Sequence, residues 1–358
     1  MRSGQFQGRA AVSNPVGRFE SLGRVDFLED LEHADEDFQD GPARPLQVTS
    51  EKSRSILTRN QSPDIPFDQS INPYRGCEHG CIYCYARPSH AYMGLSPGLD
   101  FETRLFVKEN AADLLKKELS KRAYKPVTIA LGANTDPYQP LEKERRITRQ
   151  ILEVVRDFRH PVAVITKSAL VLRDLDLYAE LARDGLVSVN MSITSLDVHL
   201  SRSLEPRAST PERRLHALRE LSRAGVPVGV MVAPVIPALT DRYMETILER
   251  ATEAGARFAG YVLVRLPYEV KELFKEWLAT NVPDKADHVM TLIRDTRGGK
   301  EYVAQWGQRQ RGTGKHAELL GRRFALATRR LGLNLERWQA DFSRFRVPGR
   351  QEQMSLFG

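Results

Sequence analysis

The chain has 358 residues, 28% of them charged and 41% hydrophobic, and 53 basic against 46 acidic side chains leave a formal charge of +7. That apolar content excludes a wholly disordered chain, no apolar run is long enough for a membrane span, and MRSGQFQGRAAV lacks the apolar core of a secretory signal. Three cysteines, an odd number, argue against a disulfide framework and point to the cytoplasm.

Residues 1–66 read as an irregular, partly acidic N-terminal extension. Acid dominates between Asp26 and Asp40, Pro42, Pro45, Pro63 and Pro66 punctuate the rest, and Phe19, Phe27, Leu28 and Leu31 offer packing anchors. Residues 67–285 are regular. Val127–Leu131 predicts a strand, and Ile147, Ile151, Leu152 and Val155 fall at helical spacing after it. Val162–Ile165 predicts the next strand and Val171–Leu181 a helix ending near Gly185. Val187–Ile193 alternates as a strand, and Thr210 with Pro211 then caps a helix that Gly225 stops. Val226–Val232 is a strand, Thr240 and Asp241 open a helix closed by Gly255, and a strand over Tyr261–Val264 precedes a helix over Val270–Leu278.

Strands alternating with helices imply a parallel α/β sheet. About six units fit a partial (β/α)6, TIM-like barrel better than a short doubly wound sheet, which puts the site at the C-terminal ends of the strands. Residues 286–346 form a basic, helix-prone region with Trp306 and Trp338, and 347–358 an exposed tail. A basic balance fits a polyanion, nucleic acid first, although arginines scattered over helical faces give the same total.

All three cysteines fall in RGCEHGCIYCYARP, as Cys77, Cys81 and Cys84. Thiolates this closely spaced can converge on one metal centre. Three of them suit an iron–sulfur cubane with one iron open to an outside ligand. A zinc site completed by His79 or His90, or free buried thiols, are the alternatives.

This motif, with Tyr83 before its last cysteine, resembles that of radical S-adenosylmethionine (SAM) enzymes. Its surroundings, SINPYRGCEHGCIYCYARP with TDPYQPLEK downstream, resemble the uncharacterised relatives of spore photoproduct lyase over roughly residues 60–285. The resemblance implies a [4Fe-4S] cluster on Cys77, Cys81 and Cys84 whose open iron chelates SAM. It also implies reductive cleavage of SAM to a 5′-deoxyadenosyl radical that abstracts a substrate hydrogen, and a reductant such as flavodoxin or ferredoxin. It makes Asn134, Thr135 and Asp136 candidates for the methionine ammonium and Lys167 for its carboxylate. Ser192 and Thr194 become candidates for ribose hydroxyls or that carboxylate. Tyr85 matches a tyrosine position of the lyase that can relay a radical. The bland readings are a helix cap for Asp136, a solvated lysine, ordinary strand-end hydroxyls and a tyrosine packed over the cluster. The lyase uses a further cysteine as hydrogen donor, and this chain has no fourth cysteine.

Two segments remain. Gly312, Thr313, Gly314 and Lys315 fail as a phosphate loop because His316 stands where Ser or Thr belongs and the preceding glycine spacing is wrong; the basic run around Trp306 suits base stacking and phosphate binding, with a solvated or cluster-covering loop as the alternative. Gln353, Met354, Ser355, Leu356 and Phe357 are similar to the peptide by which bacterial DNA polymerases and repair proteins dock on the sliding clamp, the alternative being that Leu356 and Phe357 tuck onto the parent domain. The expected function is a radical SAM enzyme acting on nucleic acid, in repair or modification. The same machinery acting on a peptide or small metabolite, or a non-catalytic iron–sulfur protein, is the alternative.

Overall fold

The computed structural model describes residues 8–19 and 45–349; the acidic stretch at Asp26–Asp40 and the clamp-like Gln353–Phe357 lie outside them. Among the described residues there are ten strands: β1 Gln47–Ser50, β2 Leu57–Arg59, β3 Gln69–Ile71, β4 Tyr74–Arg75, β5 Arg104–Val107, β6 Ile129–Leu131, β7 Val162–Thr166, β8 Val187–Ser192, β9 Val228–Val235 and β10 Phe258–Leu263. The main sheet runs β10-β9-β8-β7-β6-β3-β2. Its six strands from β3 to β10 pair in parallel, as Gln69↔Ile129 and Val164↔Val189 do, and β2 lies antiparallel on the edge. The α/β partial barrel expected from the sequence is the fold.

The strands are apolar because both of their faces are covered. Val162, Val164, Val187, Val189, Val228 and Val230 are buried against helix faces built from Ile151, Leu152, Leu215, Leu218, Ile247 and Leu248. The helix Pro211–Arg223 begins at Thr210, whose hydroxyl accepts the Arg213 amide at 3.5 Å, and the chain turns at Gly225 with φ +81°.

Two expected helices start differently. The Val171–Leu181 pattern divides into a 3-10 turn, Ala169–Asp174, and an α-helix, Leu175–Arg183, because the Ser168 hydroxyl caps the tighter turn through the Leu170 amide at 3.2 Å. Likewise Asp241–Tyr243 is a 3-10 turn leading into Met244–Glu253. The first parallel strand, β3, carries Gln69 and Ser70 buried beside Ile71, so no apolar run announces it.

A second core positions the cysteine loop. Ile82, Leu204, Ile236, Val264, Leu273, Phe274 and Trp277 pack together, joining the loop to the helices Val270–Asn281 and Ala286–Asp295. Trp277 is fully buried and donates to the Ser203 carbonyl at 2.8 Å. The open side between the sheet's two edges is spanned by residues 302–312. There the Leu263 amide donates to the Gln310 carbonyl at 2.8 Å, while Asp64, in the β2–β3 connection, accepts from the Gly307 amide at 2.7 Å and from Arg309. Among the described residues no helix is long and apolar enough to cross a membrane.

Candidate cluster and cofactor site

The loop after β4 carries Cys77, Cys81 and Cys84 over the C-terminal ends of the parallel strands. Gly76 and Gly80 sit at φ +75° and +64°, and a Cβ on Gly76 would stand 2.6 Å from Leu105 and 2.9 Å from the Phe101 carbonyl. The loop is pinned from several sides. The Cys77 amide donates to the Phe101 carbonyl at 3.0 Å and the Ile82 amide to that of Leu204 at 3.0 Å. Arg87, fully buried, donates to the carbonyls of Gly80, Cys81, Pro97 and Gly98 and to Glu102. Glu102, equally buried, also accepts the Ala11 amide at 3.2 Å, so the segment 8–19 straps the loop from outside.

The TDPYQPLEK segment is a second bracket. Gln139 accepts the Glu78 amide at 2.9 Å and donates to the Gly76 carbonyl at 3.4 Å. Tyr138 bonds Asp174 and Tyr178, and Glu142 accepts from Tyr74 and Arg173. Asp136 accepts the Thr166 hydroxyl and the Lys167 amide, both at 2.7 Å, and the Tyr138 amide at 2.8 Å, with His79 at 3.4 Å. Burial works against its ionisation, but the His79 ring and these donors hold its pKa down at about 2. Asp136 thus caps its own turn and clamps the ends of β6 and β7 together.

Between the thiols and the barrel lies a buried polar network. Tyr83 donates to Glu205, which also accepts the Thr194 hydroxyl at 2.7 Å and pairs with Arg214. Arg214 reaches the Ser192 carbonyl at 2.9 Å. Burial raises the Glu205 pKa, but the charges of Arg214 and Lys167 and the Tyr83 phenol bring it down to about 2. The Lys167 ammonium lies 6.0 Å from the Tyr83 ring and 3.4 Å from the Ala233 carbonyl, on the thiol side of the mouth.

Of the residues singled out in the sequence, Tyr83, Lys167, Ser192 and Thr194 come together here. The Thr135 hydroxyl donates to the Tyr74 carbonyl at 3.1 Å, and the Asn134 side chain is exposed, while its backbone N–H donates to the Asn72 Oδ1 at 2.9 Å. Tyr85 is 45% exposed, donates to the Ala133 carbonyl just after β6, and lies under Arg265 from the end of β10. Desolvation raises its phenol to about 12, with Cys84 adding to the shift. Glu205, Arg214 and Glu102 gave no signal in sequence, since nothing in their spacing separates them from surface charges, and Arg87 and Gln139, though inside the motif segments, were not singled out.

The donor set fits an iron–sulfur cluster. Burial raises all three thiol pKa values, so the metal-free chain holds them protonated, and iron binding would release those protons. His79 turns to Asp136, His90 turns to the Arg104 carbonyl at 3.0 Å, and among the described residues no three His, Cys, Asp or Glu side chains close on a single metal ion. Three thiols with a cation and hydroxyls beside them, at the strand ends of a partial barrel, define the class: a cluster enzyme with an open coordination site for a polar cofactor.

The model of the radical SAM superfamily matches residues 71–251, and the chain belongs to that superfamily, whose members use a [4Fe-4S] cluster and SAM. An uncharacterised protein of Mycobacterium tuberculosis is 38% identical over 232 residues, 64% of this chain and 68% of that one. An uncharacterised protein of Methanocaldococcus jannaschii is 30% identical over 258 residues, 72% and 91% of the two chains. The radical SAM Nalpha-GlyT isomerase of Pseudomonas phage M6 is 26% identical over 197 residues, 53% of this chain and 38% of that one. Spore photoproduct lyase complexed with dinucleoside spore photoproduct shares the fold, with a TM-score of 0.58, 16% identity and 80% of each chain covered.

Proposed function

We propose that the chain is a cytoplasmic radical SAM enzyme whose substrate is nucleic acid. When bound, the cluster and SAM supply, on one-electron reduction by a flavodoxin or ferredoxin, the radical that takes a substrate hydrogen. The protein does the rest. Cys77, Cys81 and Cys84 are the residues that would hold the cluster, with an open coordination site for the cofactor. Asn134, the one residue of its turn with an unengaged side chain among the described residues, takes the methionine ammonium, while Thr135 and Asp136 hold that turn in place. Lys167 takes the carboxylate, Ser192 and Thr194 line the ribose side, and Glu205 orients Tyr83 and Thr194 from behind. Tyr85, at the mouth, faces the substrate.

The observation that carries the nucleic-acid reading is the basic segment 302–312, which crosses the open side of the barrel and exposes Trp306 and Arg311, while Asp64 holds its Arg309 in place. That the lyase of the same fold binds a dinucleoside lesion supports it. Lesion reversal with a cysteine donor does not carry over, because all three cysteines belong to the cluster. Modification or repair by another hydrogen donor is the reading left, and the tail Gln353–Phe357 would bring the enzyme to DNA through the sliding clamp. A peptide of the last dozen residues should bind clamp, and Phe357→Ala should abolish binding.

The test is anaerobic: reconstitute, reduce, add SAM with deuterated oligonucleotides, and measure 5′-deoxyadenosine. Product in the wild type and none in Cys81→Ala, with deuterium carried into it, is the expected result. Product without deuterium from any oligonucleotide would remove nucleic acid as the substrate.

A further inference from the structure

We propose that Arg265 anchors a phosphodiester-binding site on the open side of the barrel mouth. This rests on the nucleic-acid reading above and gives it a contact point.

Arg265 lies two residues past β10, and its guanidinium carbon stands 4.9 Å from the centre of the Tyr85 ring. Among the described residues its side chain has no hydrogen bond and no ion pair, and its Nε is buried without a partner. Two fully buried arginines of the site differ, Arg87 being matched by Glu102 and Arg214 by Glu205, whereas the buried Arg297 likewise has an Nε without a partner. Arg265 as a whole is half-buried, and its two terminal guanidinium nitrogens, which make no hydrogen bond among the described residues, are the donors open to an acceptor from outside.

The surroundings select an anion. Arg297, nearby, donates to the carbonyls of Val264 and Gln308 at 2.9 and 2.7 Å, neutral acceptors that leave its charge uncompensated. Burial, reinforced by the charge of Arg265, lowers its pKa to about 10. Asp64 is the carboxylate of this corner, and Arg309 and the Gly307 amide already occupy it. The guanidinium fork therefore sits in surplus positive charge over an aromatic ring, and it suits the paired oxygens of a phosphate. Trp306, 57% exposed on the spanning segment, offers a face for an adjoining base. The methionine carboxylate has a better placed partner in Lys167, beside Tyr83 and the thiols, whereas Arg265 lies on the Tyr85 side of the mouth.

Because Arg265 makes no hydrogen bond or ion pair among the described residues and touches only the Tyr85 ring, Arg265→Gln should keep the fold, which circular dichroism and iron content verify. The experiment titrates a short fluorescein-labelled single-stranded oligonucleotide into the reconstituted full chain at several salt concentrations. The expected result is about a tenfold weaker affinity in Arg265→Gln and a salt slope lower by about one. Arg265→Lys should restore the slope but only part of the affinity. Wild-type affinity and slope in Arg265→Gln would overturn the site while leaving the nucleic-acid reading standing. A loss of SAM affinity in place of oligonucleotide affinity would assign the guanidinium to the methionine carboxylate and overturn it. No oligonucleotide binding by the wild type would remove both the site and the reading beneath it.

Discussion

The Nε of Arg87 donates to the carbonyl of Cys81 at 2.9 Å, three residues after the cluster motif ends. Its other donors go to Gly80, Pro97, Gly98 and Glu102, so one fully buried side chain holds both strands of the cysteine loop. Arg87→Met should cost about 3–5 kcal/mol, because Glu102 is left buried without its cation. Adding Glu102→Gln should recover part of that stability but not the lost donors to Gly80 and Cys81. Denaturant unfolding of the metal-free chain should therefore improve in the double variant while iron and sulfide content stays low. Full iron retention in both variants would show that the loop needs no such pin.

Gln139 makes a sharper case, since its amide touches only the loop backbone. Gln139→Ala leaves the buried Glu78 amide unsatisfied, at about 1–3 kcal/mol, and frees the Gly76 carbonyl. The expected outcome is a nearly normal global melt with faster cluster loss in air, followed by the decay of the iron–sulfur absorbance. Unchanged decay would mean that the thiols alone set cluster lifetime.

These two residues also mark how far the sequence could be read. Cys77, Cys81 and Cys84 were legible because metal chemistry demands thiols at short spacing, and β7 to β9 because parallel strands buried on both faces are apolar runs. Asp136 was legible as a polar group at a strand end, but not as the clamp between β6 and β7, for its partners lie thirty residues on. Arg87 and Gln139 lie in the two segments that carry the resemblance, but their roles were not legible, and Glu205 gave no sign at all. Gln139 and Glu205 act through buried contacts with the distant cysteine loop and Arg87 through neighbouring carbonyls of its own loop, and burial of a polar residue leaves no periodicity behind. The strand β3 escaped for a related reason, its Gln69 and Ser70 being polar and buried.

Closure of the open side depends on Asp64. It accepts the Gly307 amide at 2.7 Å and pairs with Arg309, tying residues 302–312 to the β2–β3 connection. In Asp64→Ala the Gly307 amide should exchange with deuterium about tenfold faster, and trypsin should cut earlier after Arg309 and Arg311. Core amides such as that of Val189, in the centre of the sheet, should keep their rates. Equal exchange at Gly307 in both proteins would show that the β10 side alone holds the segment.

Stability should fall with acid through a group far from the cluster. His160 is fully buried, its Nδ1 within 2.9 Å of the Pro161 carbonyl and its Nε2 2.8 Å from the Tyr124 hydroxyl. Burial lowers its pKa from 6.5 to about 4, outweighing the Pro161 carbonyl, which raises it. The unfolded chain therefore takes up a proton between these values and the folded chain does not. The folded state keeps its full advantage above about pH 6.5 and loses it as pH falls towards 4, a change of roughly 3 kcal/mol from this group alone. Phe345 packs edge-on to the same ring at 5.5 Å between centroids, so protonation would also place a charge among aromatic groups. Denaturant unfolding of the metal-free chain at pH 7, 6, 5 and about 4.5 measures the slope. His160→Gln should be less stable than the wild type at pH 7 and should lose most of this pH dependence; an equal slope in both proteins would assign the acid sensitivity to other groups.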